Sequence, residues 1–177
     1  MGIRTVRTEG DECLRKVCKP VKSVSLRTRI LIEDMFDTMY ESGGVGLAAP
    51  QIGVLKRIVV MDTDDNQHVL INPQILEVSG EQTGYEGCLS IPGKSGIVTR
   101  PDYVKVKALN ERGEEYILEG EGLLARCICH ECDHLDGILY SDKAEGSLIN
   151  NEDLPEDEEE ELYEDAYEEF TEEEIHK

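Results

Sequence analysis

The chain of 177 residues is long enough to build one domain around its own core without disulfide staples. Its net charge of −21 is uneven: 15 acidic residues and one lysine fall between Glu152 and Lys177, so that segment holds −14 and residues 1–151 hold −7. Neither part has the basic stripe that binds a phosphate backbone, and no apolar run has the length that crosses a bilayer, which argues against direct nucleic-acid and membrane partners.

In chain order, the first strong signal is helical. Ile32, Met35, Phe36, Met39 and Tyr40 recur at helical spacing behind a cap at Ser25 or Thr28, and Gly43-Gly44 stops the run, which predicts a core-packing helix to about Ser42. A glycine-rich loop, Gly43 to Gly53, follows. Short strands are then expected at Arg57–Asp62, Val69–Asn72, Gln74–Ser79, Gly96–Arg100, Tyr103–Leu109 and Glu115–Glu119, separated by Asp-Asn, Asn-Pro, Ser-Gly, Arg-Pro and Arg-Gly turn signals. A second helix starts near Gly122-Leu123 and ends at Gly137. The pattern predicts an α+β domain over residues 1–150, with mixed, largely antiparallel sheets around a central helix. In the tail, residues 151–177, Leu162, Ala166 and Phe170 fall four apart with Tyr163 and Tyr167 beside them, which predicts an acidic amphipathic helix.

The second helix carries His130-Glu131-Cys132-Asp133-His134, an HExxH segment. At about 100° per residue, His130 and His134 lie about 40° apart and Glu131 about 60° further round, so two metal ligands and a base share one side. A catalytic metal site needs a third protein ligand and an open position. Extension to HExxHxxGxxH fails, because Gly137 stands in place but Tyr140 replaces the last histidine. A downstream glutamate is a second option, and a thiolate from Cys88, in Glu86-Gly87-Cys88-Leu89-Ser90, is a third. Residue types alone leave these open, since a lone cysteine in a strand is usually a small buried apolar group. The bare motif also suits a zinc endopeptidase, and Cys129-x-x-Cys132 a closed zinc-binding module. Against the module, both thiols point away from the His130/His134 side by the same angular count. The six cysteines make a poor disulfide framework, and no charged-then-apolar leader opens the chain, so a cytoplasmic protein with reduced thiols is expected.

Three motifs in order are more specific than one: Gly46-Leu47-Ala48-Ala49-Pro50-Gln51, Glu86-Gly87-Cys88-Leu89-Ser90 and His130-Glu131-x-Asp133-His134-Leu135-x-Gly137. With Asp11 to Val17 and Lys19-Pro20-Val21 ahead of them, the chain to about Leu148 resembles the peptide deformylases. The resemblance implies that Cys88, His130 and His134 bind the metal and that Glu131 is the general acid and base. It implies that Gln51 and the Leu89 backbone N–H face the reacting carbonyl oxygen. Gly44 and Gly46 would lie against the substrate backbone, and Leu123 and Cys127 would line a pocket for a methionine side chain. It further implies Fe²⁺ as the working ion, with Zn²⁺ or Ni²⁺ as replacements, and formyl-methionyl nascent peptides as substrate. An ion pair between Glu86 and Arg100 would steady the Cys88 turn, and Asp133 is a candidate to orient an imidazole. Arg126 departs from the apolar residue usual at its position, which leaves the polarity of that pocket's edge open but not the chemistry. Transient ribosome association is left open, but not through the tail, whose charge has the wrong sign for ribosomal RNA.

Overall fold

Ser25 caps the first helix: its Oγ accepts the Thr28 N–H at 3.3 Å, and α1 (Leu26–Glu41) runs until Gly43 turns the chain with φ 71°. The computed structural model describes residues 2–155, so the helix expected around Leu162, Ala166 and Phe170 lies outside the described residues. Seven strands follow α1: β1 (Gly46–Ala48), β2 (Ile58–Asp62), β3 (Gln67–Ser79), β4 (Gln82–Cys88), β5 (Ile91–Arg100), β6 (Tyr103–Leu109) and β7 (Glu115–Glu121). Helix α2 (Gly122–Leu135) and strand β8 (Glu145–Asn150) complete the order. The strands form a five-stranded sheet, β1-β2-β3-β6-β7, and a three-stranded sheet, β4-β5-β8. All of these pairings are antiparallel, and Lys19 and Lys56 add an isolated parallel bridge. The architecture is the expected α+β class.

The two strands expected on either side of Asn72-Pro73 are one. Asn72 takes a left-handed φ of 52°, and its side-chain amide accepts the Val21 N–H and donates to the Val21 carbonyl, both at 2.8 Å. Pro73, which has no N–H for the ladder, falls at the register shift between Ile71 and Gln74. A turn signal thus becomes a bulge, held from a distant segment through the Asn72 side chain. Strands β1 and β8 have no alternation strong enough to announce them.

Both faces of the inner strands are covered. Ile58 and Val60 of β2 pack with Leu31, Ile32, Met35, Phe36 and Met39 of α1, whereas Val59 and Met61 pack with Ala125, Ile128 and Leu135 of α2. Strand alternation sends β2 both ways, and β6 turns Val104, Val106 and Ala108 towards α2. Ten of the fourteen residues of α2 are buried, more than one face of a surface helix would bury, because the three-stranded sheet covers its other side. The helix ends on a Schellman arrangement: Ile138 N–H bonds the Asp133 carbonyl at 3.0 Å and Gly137 N–H the His134 carbonyl at 3.1 Å. Gly137 is required twice, by its φ of 75° and because a Cβ there would stand 2.5 Å from the Arg15 carbonyl oxygen.

Candidate metal centre

Strand β4 runs in step with α2. Two residues of strand advance about 6.8 Å and four residues of helix about 6.0 Å, so every second side chain of one meets every fourth of the other. Gln82 donates to the Gly122 carbonyl at 2.7 Å, and Gly84 faces the Arg126 guanidinium. Glu86 then meets both Arg126 and His130, and Cys88 meets His134. A register shift at Glu86/Cys88, centred on Gly87, re-aims the last of these side chains.

Cys88 Sγ lies 3.3 Å from His134 Nε2, and the ligand atoms of Cys88, His130 and His134 all fall within 4.8 Å of one another. A tetrahedral ion with bonds of about 2.0 Å to nitrogen and about 2.3 Å to sulfur needs donor separations of about 3.3–3.6 Å. One edge already has that length, so the sulfur and two imidazoles fit a divalent cation. Burial, then the neighbouring His130, push the His134 pKa well down, which leaves a neutral imidazole with a lone pair to give.

The other face of the trio is polar and tight. Glu131 is buried; its Oε1 is 3.8 Å from His130 Nε2, and its Oε2 has no hydrogen-bond partner among the described residues. Burial pushes its pKa up to about 7, which suits a group that takes and returns a proton near neutrality. Gln51, also buried, is oriented by the Ala48 N–H, which donates to Oε1 at 2.9 Å. Its Nε2 therefore points to Ser90 Oγ at 3.1 Å and Cys88 Sγ at 3.6 Å. A Cβ on Gly46 would stand 2.8 Å from Cys127 Sγ and 2.9 Å from Glu131 Oε1, so glycine makes room here for the protein's own carboxylate. A Cβ on Gly44 would meet Leu89 Cδ1 at 2.7 Å, which brings the loop before β1 against the β4–β5 turn.

Behind His130 lies a buried ion cluster. Glu86 takes the His130 Nδ1 on Oε1 in a short hydrogen bond, Arg100 on both oxygens at 2.7 and 3.2 Å, and Arg126 Nη1 on Oε2 at 2.7 Å. Burial alone would raise the Glu86 pKa, but His130 and Arg100 outweigh it and hold the carboxyl well below the usual range. At His130 burial lowers the pKa, but Cys88 and Glu86 outweigh it and push the imidazole up. Among the described residues Asp133 meets no imidazole: it accepts from Arg100 Nη1 at 2.6 Å and pairs with Lys143 Nζ at 3.0 Å. The orienting carboxylate is Glu86, a role the sequence reading gave to Asp133. Tyr140, standing where a third histidine would complete the longer motif, is buried and stacks on the His130 ring at 6.0 Å.

A family model for polypeptide deformylase matches residues 3–148. The chain belongs to the peptide deformylase family. A peptide deformylase of Agathobacter rectalis is 61% identical over 148 residues, 84% of this chain and 94% of that one. The crystal structure of peptide deformylase from Thermotoga maritima superposes with a TM-score of 0.81 at 41% identity, over 82% of this chain and all of that one. The deformylase of Synechococcus elongatus, solved in complex with actinonin, gives 0.79 at 42% identity over 81% and 79% of the two chains. The protein is thus an enzyme of a metal-dependent family that acts on formylated nascent peptides.

Of the residues singled out in the sequence, Cys88, His130, His134, Glu131, Gln51, Gly46 and Cys127 come together, with Gly44 and Leu89 adjoining. Leu123 is 39% exposed and edges a groove also lined by Thr63, Asp64, Tyr103 and Glu119. Arg126 is turned into the ion cluster by Glu86, so its charge is neutralised rather than offered to a pocket edge. Cys129 and Cys132 are buried among apolar residues, and burial pushes both thiols up, away from the thiolate a zinc module needs.

Proposed function

We propose that the enzyme hydrolyses the N-formyl group of formyl-methionyl nascent chains, releasing formate and a free amine, in the cytoplasm where such chains and reduced thiols coexist. The observation that carries this reading is the meeting of Cys88 Sγ, His130 and His134 beside a buried carboxylate with an unpartnered oxygen. Cys88, His130 and His134 would hold the ion; the S/N/N set suits Fe²⁺ or Zn²⁺, and the family resemblance favours Fe²⁺, with Zn²⁺ or Ni²⁺ as replacements. When bound, the ion supplies Lewis acidity towards water and the formyl carbonyl.

The chain's own groups do the rest. Glu131 takes a proton from the attacking water at Oε2 and returns it to the leaving amine. Gln51 Nε2, fixed by the Ala48 N–H, and the Leu89 N–H donate to the formyl oxygen as negative charge grows there, each preorganised donor being worth about 3–4 kcal/mol. Gly44, Gly46 and Cys127 shape the bed for the substrate backbone and first side chain, with Leu123 at its outer edge. A downstream glutamate is not needed as third ligand, and the ligand thiol separates this site from a peptidase built on the HExxH face alone.

The test is anaerobic formate release from a formyl-Met peptide by protein loaded separately with Fe²⁺ and Zn²⁺. Loaded protein should release formate, Glu131→Ala and Cys88→Ala should not, and actinonin should compete. Formate at the normal rate from Glu131→Ala would overturn the mechanism.

A further inference from the structure

Arg126 has no part in the chemistry just described, yet it is a buried guanidinium on the metal helix, four residues and one turn before His130. Its Nη1 donates to Glu86 Oε2 at 2.7 Å and to the Val98 carbonyl at 3.2 Å. Glu86 in turn receives the His130 Nδ1 on its other oxygen. Residues i and i+4 share a helix face, so Glu86 of β4 is pinned to α2 at two successive turns, by Arg126 on one oxygen and by His130 on the other. Arg100 alone, reaching from β5, fixes the carboxylate to the three-stranded sheet and to Asp133. Through Asp133 that contact also reaches α2, just beyond His130, whereas Arg126 holds the same carboxylate from the turn before His130. The residue facing Arg126 in the strand-helix ladder is Gly84, where a Cβ would stand at ordinary contact distance, 3.6 Å, from Arg126 Nη2.

We propose that Arg126 is a positioning residue for the metal centre: by sharing Glu86 with Arg100, it sets the plane of the carboxylate and so the direction in which His130 presents Nε2. The inference rests on the reading of Cys88, His130 and His134 as metal ligands. Groups that hold a metal-binding histidine typically change metal affinity or activity about 10–100-fold when removed. Arg126 acts one contact further out, and Arg100 stays on Glu86, so an effect near the low end, about tenfold, is expected.

Zinc-loaded wild type, Arg126→Met and Arg126→Lys are compared for the rate of zinc transfer to a chelator, for the visible spectrum of the cobalt-substituted forms, and for kcat and KM. Arg126→Met should lose zinc about tenfold faster, shift the cobalt bands and lower kcat with KM unchanged. Arg126→Lys, which keeps a charge beside Glu86 Oε2, should recover much of each. Arg126→Gln, which keeps a donor for Val98 without the charge, serves the same comparison if Arg126→Met does not fold. Wild-type zinc release and unchanged cobalt bands in the charge-free variant would overturn the proposal. Wild type that fails to hold one zinc per chain would instead overturn the metal-centre reading beneath it.

Discussion

Helices α1 and α2 lie on opposite faces of the same strands and do opposite work. Towards β2, α1 buries Leu31, Ile32, Met35, Phe36 and Met39, an apolar stripe that needs only shape and exclusion of water. Within its sixteen residues the buried acid, Asp34, faces Arg4 and the chain start, away from that stripe. By contrast, α2 buries Arg126, His130, Glu131 and His134 alongside Ala125, Ile128 and Leu135. A buried charge is tolerated only with a partner at hand, and β4 supplies one at successive turns. The comparison teaches that stability and chemistry occupy different helices of one core, joined by the strands between them.

Changes on the two helices should therefore fail in different measurements. The largest effect is expected from Glu131→Gln, which should lower kcat about 10²–10⁴-fold, or about 3–5 kcal/mol of barrier, while zinc content and the unfolding midpoint stay near wild type. A comparable loss of stability would break the separation. On α1, Met35→Ala removes a fully buried side chain and should cost about 2–5 kcal/mol in denaturant titration. Its kcat per folded molecule should not change, and a fall in kcat would show that α1 tunes the site.

Gly46→Ala tests the shared strand. Its Cβ would displace the Glu131 carboxylate, so kcat should drop about 100-fold, the typical effect of an ångström-scale misplacement, with an overpacking cost of about 1–3 kcal/mol. Equal stability loss with intact turnover would mean that β1 yields instead of the carboxylate. The smallest effect is expected at the α1 cap: Ser25→Ala should cost about 1 kcal/mol in the same denaturant titration, with unchanged kcat.

Much of this was legible without coordinates, and the reasons are local. The α1 stripe, the Ser25 cap, the Gly137 stop and the alternation of β6 each depend on residues within a few positions of one another. Where the sequence misleads, a distant segment decides. Asn72-Pro73 reads as a turn but is a bulge held by Val21, and β8 becomes a strand by pairing with Lys94 to Ile97 of β5.

The sequence by itself determined that two imidazoles and a carboxylate share one side of a helix, because helical periodicity needs nothing beyond the chain's own spacing. It could name Cys88 only by resemblance, and it offered Asp133, not Glu86, as a candidate to orient an imidazole. Which thiol lies beside the two imidazoles, which carboxylate holds His130, and that Arg126 turns inward to that carboxylate were decided by the tertiary structure. The physical reason is the register between β4 and α2: partners 40 to 46 residues apart meet only when a whole strand is laid beside a whole helix in one alignment.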